Sequence, residues 1–170
     1  MPKKLYLLRH AKSDWSEEGQ RDFDRDLNAR GRRDAPRMGQ LLHELGVAPG
    51  LVVASPARRT TLTARTVAEA LDYPVGCIKY EEALYEASVP TFLKVIYELP
   101  DGTADAPIDR ALLVAHNPTI TYVAEHLSGQ SLGNIPTSGV VSLLFELDEW
   151  AAVTRGAAVL EWFEYPKKHD

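Results

Sequence analysis

The 170-residue sequence has a single cysteine, Cys77, and this scarcity of thiols excludes several kinds of site. No disulfide can form within the chain, and no cysteine-based metal centre can be assembled. Disulfide-stabilised small domains belong to oxidising compartments. Because this chain cannot form an internal disulfide, it fits the reducing cytoplasm, and we predict a cytoplasmic location. Cys77 lies in an apolar stretch with no basic residue close before it, and we expect a small buried residue rather than a nucleophile.

Long apolar runs are also missing. The first run, Leu5 to Leu8, ends at Arg9 and is too short for a signal peptide or a membrane span. Two phosphate-binding signatures, Gly-x-x-x-x-Gly-Lys-Ser/Thr and Gly-x-Gly-x-x-Gly, do not occur. The net charge is -5, whereas nucleic-acid backbones select basic faces. We therefore expect neither a nucleic acid nor a membrane as a partner.

The composition that remains is typical of a globular protein, with 45% hydrophobic and 25% charged residues. The length suits a single domain over residues 1–170. Pro36 is predicted to mark the first turn of the first helix. Apolar runs predict strands at 5–8, 51–54, 77–80, 111–115, 140–147 and 159–165. Helical spacing predicts helices at 29–45, 57–71, 90–99 and 118–127. This alternation predicts a three-layer α/β/α fold with a mainly parallel central sheet.

Reactive polar residues directly follow three of the predicted strands. These segments are 9–13, 55–59 and 116–118. Ligands of open α/β sheets bind beyond the carboxyl ends of the strands, so we expect the three segments at one rim. Arginine forks fit phosphate oxygens, and a neutral imidazole can attack phosphorus. Fixed positive charge keeps such an imidazole neutral, so the rim predicts phosphoryl transfer without a metal or a cofactor.

Each of these residues also has an ordinary structural explanation when it is taken alone. Arg9 could be a charge at the end of a strand, and His10 could be a polar turn residue. His116 could cap a helix, and the pair Arg58 and Arg59 could be solvated at a helix start. That pair opposes the helix dipole, which is easier to explain if one arginine faces a bound anion. The combination is therefore more specific than its parts.

The combination resembles the histidine phosphatase superfamily, also called the phosphoglycerate mutase-like superfamily. The segment 8–13, Leu-Arg-His-Ala-Lys-Ser, resembles the family's Arg-His-Gly/Ala signature, and 55–63 is similar to its Ser-Pro-x-x-Arg-Ala-x-x-Thr motif. The segment 114–118 is similar to the third motif. The resemblance covers nearly the whole chain and is strongest to the SixA-type phosphohistidine phosphatases. It implies a phosphoglycerate mutase-like fold.

The resemblance also implies roles for four residues. His10 matches the nucleophile that becomes phosphohistidine, and Arg9 matches the first phosphate-binding arginine. In the second motif the arginine stands four positions after the serine, which selects Arg59, although the adjacent Arg58 leaves a one-residue alternative. His116 matches the second pocket histidine, which we expect to bind the phosphoryl group in its charged form.

Weaker matches add further candidates. Arg25 lies in a segment similar to the SixA pattern Arg-Pro-Leu-Thr-x-x-Gly, with Asp26 in place of the usual proline. Glu86, in Leu-Tyr-Glu, resembles the proton donor of the mutases, although SixA looks as if it lacks such an acid, and Glu86 could instead cap or flank the next helix. The other candidate phosphate contacts are Lys12, Ser13 and Asn117, and Trp15 and Phe23 are candidates for the entrance.

These matches predict a phosphatase that forms a covalent intermediate on His10 and needs no metal or cofactor. The expected partner is a phosphorylated substrate, with a histidine-phosphorylated protein domain preferred. The alternatives are a small-molecule phosphomonoesterase, a phosphoglycerate mutase-type phosphotransferase and a non-catalytic phosphate-binding module. The oligomeric state is not predicted.

Overall fold

The computed structural model describes residues 2–170, which fold around one six-stranded sheet. The strands are β1 (Lys3–Arg9), β2 (Leu51–Ala54), β3 (Lys79–Tyr80), β4 (Arg110–Ala115), β5 (Val140–Phe145) and β6 (Ala158–Glu164). The helices are α1 (Ala29–Glu44), α2 (Arg58–Ala70), α3 (Val89–Tyr97) and α4 (Thr119–Ser128), with short 3-10 turns between some of the elements.

The strand order across the sheet is β3-β2-β4-β1-β5-β6. The pairs β3-β2, β2-β4 and β4-β1 are parallel, whereas β5 runs antiparallel to both β1 and β6. The prediction of a mainly parallel sheet is confirmed. Because β2, β4 and β1 are parallel neighbours, their carboxyl ends meet at one edge of the sheet.

Apolar side chains cover both faces of the sheet. Along β1, Leu5 and Leu7 pack on the face covered by α3 and α4, whereas Tyr6 and Leu8 pack on the face covered by α1 and α2. This alternation follows from the two-residue period of a strand. A sheet with helices on both faces needs strands that are apolar on both sides, and β4 is buried from Ala111 onward. The predicted three-layer α/β/α architecture is therefore confirmed.

Two local predictions are wrong. Helix α1 begins at Ala29 because the Asn28 side chain accepts a hydrogen bond from the Gly31 N–H at 2.9 Å and caps the helix. Pro36 therefore lies inside the helix on an exposed position and not in its first turn. Cys77 is exposed because it lies in a short turn before β3, a two-residue strand at the edge of the sheet.

Every helix in residues 2–170 is too short or too polar to cross a lipid bilayer.

Candidate active site

A cavity with a volume of about 420 Å³ opens beyond the carboxyl ends of β1, β2 and β4. Its wall contains all nine predicted catalytic and phosphate-binding residues, the entrance candidate Trp15 and three further residues, whereas the other entrance candidate, Phe23, does not line it. The lining residues are Arg9, His10, Lys12, Ser13, Trp15, Asp22, Arg25, Arg59, Tyr85, Glu86, His116, Asn117 and Thr137. The three polar segments that follow the strands therefore meet at one site, as the parallel topology requires.

His10 is held by main-chain contacts as it leaves β1. Its N–H donates to the Ala115 carbonyl at 3.1 Å, and its side chain is only 7% exposed. Nδ1 lies 2.8 Å from the Ala11 carbonyl oxygen. A carbonyl can only accept, so Nδ1 carries the proton, and Nε2 keeps an unprotonated lone pair. Burial, followed by the positive charges nearby, lowers the pKa of His10 to about 3, so the ring is neutral at pH 7.

His116 lies beside His10, with 5.4 Å between the ring centroids. Its Nε2 is 2.7 Å from the Ser55 hydroxyl oxygen, and its Nδ1 is buried without a partner. Burial, and then the charge of Arg59, lower the pKa of His116 to about 3. The ring is therefore neutral in this structure, whereas the expectation of a charged His116 concerns a ring in contact with a phosphoryl group and stays a prediction. An anion in contact with the ring would favour the charged form.

The two adjacent arginines of the second motif are clearly distinguished. The Arg59 side chain is 6% exposed and lines the cavity, where Nη1 donates to the main-chain oxygen of Asp22 at 2.7 Å. The Arg58 side chain is 55% exposed, pairs with Asp26 at 3.4 Å and does not line the cavity. Arg59, and not Arg58, is therefore the pocket arginine.

Several buried polar atoms of the cavity residues lack a hydrogen-bond partner. Within residues 2–170 there are four such side-chain atoms, and three of them are Nε of Arg9, Nε of Arg59 and Nδ1 of His116. Buried polar groups in native proteins are almost always paired, so this concentration calls for an explanation. Guanidinium N–H groups are the donors that phosphate oxygens prefer. These atoms fit an anion that binds between them.

An acidic residue that the sequence analysis missed lies among these basic groups. Oδ1 of Asp22 accepts from Arg25 Nε at 3.1 Å and from Arg25 Nη2 at 3.0 Å. Its Oδ2 accepts from Arg59 Nη2 at 3.0 Å and from the Tyr85 hydroxyl at 2.8 Å. Partial burial raises the pKa of Asp22, but the bonds from Tyr85, Arg25 and Arg59 outweigh it and lower that pKa to about 2. Asp22 is therefore a carboxylate at neutral pH.

Arg25 is buried, and neighbouring side chains already bind its guanidinium. Besides its two bonds to Asp22, it donates through Nη1 to the Ser13 hydroxyl, and its guanidinium carbon lies 3.4 Å from the centroid of the Trp15 ring. All three of its nitrogens have protein partners. In this structure Arg25 and Ser13 therefore bind each other, and a phosphate contact would require them to exchange partners.

Lys12 lines the cavity, and its main chain packs closely against the start of α1. Its carbonyl accepts from the Asn28 N–H at 3.0 Å and lies against Gly31 at the start of α1. A Cβ at position 31 would lie 2.1 Å from the Lys12 oxygen, so only glycine fits there. This approach fixes the loop that carries Lys12 and Ser13 beside the cavity.

The remaining two candidates differ in how free they are to bind a ligand. The Asn117 amide donates to Asn134 Oδ1 at 2.6 Å and accepts from Thr121 Oγ1 at 2.6 Å, so its side chain holds the loop that follows α4. Glu86 lines the cavity with φ of 53°, a left-handed conformation that L side chains rarely adopt. Of the alternative that Glu86 caps or flanks the next helix, the capping part is wrong because Ser88 is the N-cap of α3, but Glu86 does flank that helix.

The sequence profile of the histidine phosphatase superfamily, branch 1, matches residues 5–95, which include His10 and Arg59. This chain belongs to the histidine phosphatase superfamily. The resemblance seen in the motifs is therefore confirmed, and the sheet has the phosphoglycerate mutase-like topology of the superfamily.

Similar proteins come from a plant and from bacteria. An uncharacterised chloroplastic protein of Arabidopsis thaliana is 31% identical over 142 residues, which cover 76% of this chain and 61% of that protein. An uncharacterised protein of Mycobacterium leprae is 31% identical over 172 residues, which cover 94% of this chain and 100% of that protein. The crystal structure of SixA from Agrobacterium tumefaciens, assigned as a phosphohistidine phosphatase, is 30% identical with a TM-score of 0.79, covering 98% of this chain and 99% of that one.

Three lining residues of this histidine phosphatase were not predicted as site residues: Asp22, Tyr85 and Thr137. The three-residue spacing of Asp22 and Arg25 is a signal for a local ion pair, but it does not point to Arg59, which lies 37 positions away. Tyr85 occupies the unspecified position of Leu-x-Glu, so the motif gave it no role. No signal for Thr137 is visible in the sequence.

Proposed function

We propose that this protein is a phosphatase that transfers a phosphoryl group from protein phosphohistidine to Nε2 of His10 and then to water. The observation that carries the proposal is the state of His10. Its Nδ1 proton is bound to the Ala11 carbonyl, its ring is neutral, and it lies beside Arg9 and Arg59. A neutral, oriented imidazole next to fixed positive charge is suited to nucleophilic attack on phosphorus.

In the first step the Nε2 lone pair of His10 attacks the phosphorus. The bond between Nε2 and phosphorus forms while the bond between phosphorus and the leaving nitrogen breaks, and that nitrogen keeps the electron pair and takes a proton from solvent. Arg9 and Arg59 stabilise the negative charge on the equatorial oxygens. An imidazole leaves much more easily than an alkoxide, so this step does not depend on a strong protein acid.

In the second step a water molecule attacks the phosphorus of the phosphohistidine intermediate. The bond to Nε2 breaks, and its electron pair returns to His10 as a neutral imidazole. One water proton stays on the phosphate oxygen, and the other passes to solvent. The Nδ1–H bond to Ala11 holds the ring in the same tautomer through both steps.

A second candidate function is the hydrolysis of a small phosphate monoester. Glu86 favours it, because the residue lines the cavity and its backbone has the strained left-handed conformation often found at functional sites. A carboxylic acid at this position could protonate an alkoxide leaving group.

A substrate panel tests both candidates. We expect release of inorganic phosphate to be fastest from a histidine-phosphorylated phosphotransfer domain and slower from nucleotides and sugar phosphates. His10→Ala should abolish release from every substrate. A His10→Ala variant with the wild-type rate would contradict the mechanism, and a sugar phosphate as the best substrate would favour the second candidate.

A further inference from the structure

Trp15 is an exposed aromatic side chain in the wall of the cavity. It is 72% exposed, and the other exposed large hydrophobic residues within residues 2–170 lie outside the cavity wall. Those residues are Leu45, Tyr80, Tyr122 and Val159. A lone exposed hydrophobic side chain needs no explanation by itself, but Trp15 is held in place by another residue of the cavity wall.

Trp15 is attached to the anion-binding part of the cavity through Arg25. The Arg25 guanidinium carbon lies 3.4 Å from the centroid of the Trp15 ring, within stacking distance. Arg25 is itself buried and donates two hydrogen bonds to the Asp22 carboxylate. The indole ring is therefore held in a defined position at the cavity wall, although most of its surface is open to solvent.

Tyr85 provides a second aromatic surface, next to the histidine pair. Its ring lies edge-on to His116, with 5.6 Å between centroids and 73° between planes. Phe23 supports it from another side at 5.1 Å and 90°. The Tyr85 hydroxyl donates to Asp22, the carboxylate that also binds Arg25. Contacts therefore run without interruption from the exposed Trp15 to the histidines.

We propose that Trp15 and Tyr85 form a leaving-group subsite that selects phosphoryl groups carried on a planar aromatic ring, with a nitrogen heterocycle such as imidazole as the preferred class. The inference rests on the proposed function, because the ring is the group that His10 displaces. Aromatic rings gain from stacked or edge-on contact with one another, and an aliphatic leaving group or ammonia does not. The subsite thus gives the pocket a preference that the phosphoryl group alone cannot provide.

Two small substrates isolate this preference. N-phosphorylimidazole and phosphoramidate both contain a bond between phosphorus and nitrogen, but only the first has a ring. The quantity to measure is the ratio of their kcat/KM values, because comparing this ratio between variants cancels the intrinsic difference in reactivity. Trp15→Leu should lower the ratio about tenfold, the order of one lost stacking contact.

Matched variants separate the ring contacts from other effects. Tyr122→Leu changes another exposed aromatic residue, outside the cavity wall, and should leave the ratio unchanged. Tyr85→Phe keeps the ring and loses the hydrogen bond to Asp22, so it should keep the ratio, whereas Tyr85→Leu should lower it. A ratio that stays constant in both Trp15→Leu and Tyr85→Leu would overturn the subsite while leaving the phosphatase proposal intact. If the wild-type protein hydrolysed neither substrate, both the subsite and the phosphatase proposal would be overturned.

Discussion

Oδ2 of Asp22 lies 3.0 Å from Nη2 of Arg59, so a carboxylate is bound to a principal arginine of a candidate phosphate site. Asp22 also binds Arg25, and its low pKa means that it is ionised at neutral pH. The carboxylate orients both guanidinium groups and at the same time neutralises part of their charge. The affinity of the cavity for phosphate should therefore change when Asp22 is replaced.

Removing this negative charge should strengthen anion binding. In Asp22→Asn the side chain keeps its size, but the cavity gains one unit of positive charge. We expect inorganic phosphate to inhibit this variant at a concentration about fivefold lower, from a coupling on the order of 1 kcal/mol between partly exposed charges. Asp24→Asn is the control, because Asp24 pairs with Arg21 outside the cavity wall. Weaker inhibition of Asp22→Asn than of the wild-type protein would contradict this account of the charge.

Arg59 and Arg58 should differ sharply in function. Arg59→Ala removes the guanidinium group that stabilises the equatorial oxygens in the proposed mechanism, and we expect a loss of about 100- to 1,000-fold in kcat/KM. Arg58→Ala removes an exposed side chain that pairs with Asp26, and we expect a change of less than about threefold. Steady-state kinetics with one substrate measures both. Equal losses in the two variants would contradict the assignment of the pocket arginine.

The His10 ring should take a proton at a much lower pH than a free histidine does. Because burial and nearby positive charge lower its pKa to about 3, the ring should remain neutral when the pH falls from 7.5 to 5. NMR chemical shifts of the His10 ring should therefore stay constant over this range, while those of free histidine in the same sample change. A His10 midpoint near 6.5 would contradict the buried, charge-surrounded environment.

The same shifts predict how stability depends on pH. The folded-state pKa values of His10 and His116 lie below the unfolded-state values, so the unfolded chain binds more protons between about pH 6.5 and 3. The free energy of unfolding should therefore fall as the pH decreases through this window, by at most about 1.4 kcal/mol per pH unit for each histidine. Urea unfolding at pH 7 and pH 5 should show a smaller loss for His116→Gln than for the wild-type protein. An identical loss in both would argue against the shift of His116.

The close approach of Gly31 to Lys12 predicts a specific sensitivity. In Gly31→Ala the new Cβ would meet the Lys12 carbonyl oxygen at 2.1 Å, so the loop beside the cavity or the start of α1 must move. We expect a loss of about 2 kcal/mol or more in the free energy of unfolding, together with lower activity. Gly76→Ala is the control, because no atom lies within 4 Å of its Cβ position and its φ is not positive, and it should change stability by less than about 0.5 kcal/mol.

The fold was largely predictable because most strands are short apolar runs and the helices have a clear hydrophobic period. The apolar run in β1 and the helical spacing in α1 are local signals, and the three-layer arrangement follows from the alternation of such runs and helices. The prediction that Cys77 is buried is wrong because an apolar neighbourhood in the sequence does not reveal that β3 is a short strand at the sheet edge. The prediction that Pro36 marks the first turn of α1 is wrong because the Asn28 cap decides where the helix begins.

The site was predictable where chemistry follows a strand end, and not where it depends on tertiary contacts. The segments that carry His10 and His116 are visible as reactive residues after buried runs. The role of Asp22 is not visible, because its bonds to Arg59 and Tyr85 cross 37 and 63 positions of sequence. A charge that is paired across the fold looks, in the sequence, like an ordinary surface charge.

The central claim is that Nε2 of His10 accepts the phosphoryl group. The direct measurement starts by quenching the reaction rapidly during turnover without acid. Mass spectrometry then locates the phosphorylated residue, and 31P NMR assigns the ring nitrogen. We predict one phosphoryl group on His10, bound to Nε2, which disappears as substrate is exhausted and does not form in His10→Ala. Turnover without a phosphorylated protein, or with the phosphoryl group on another residue, would contradict the account.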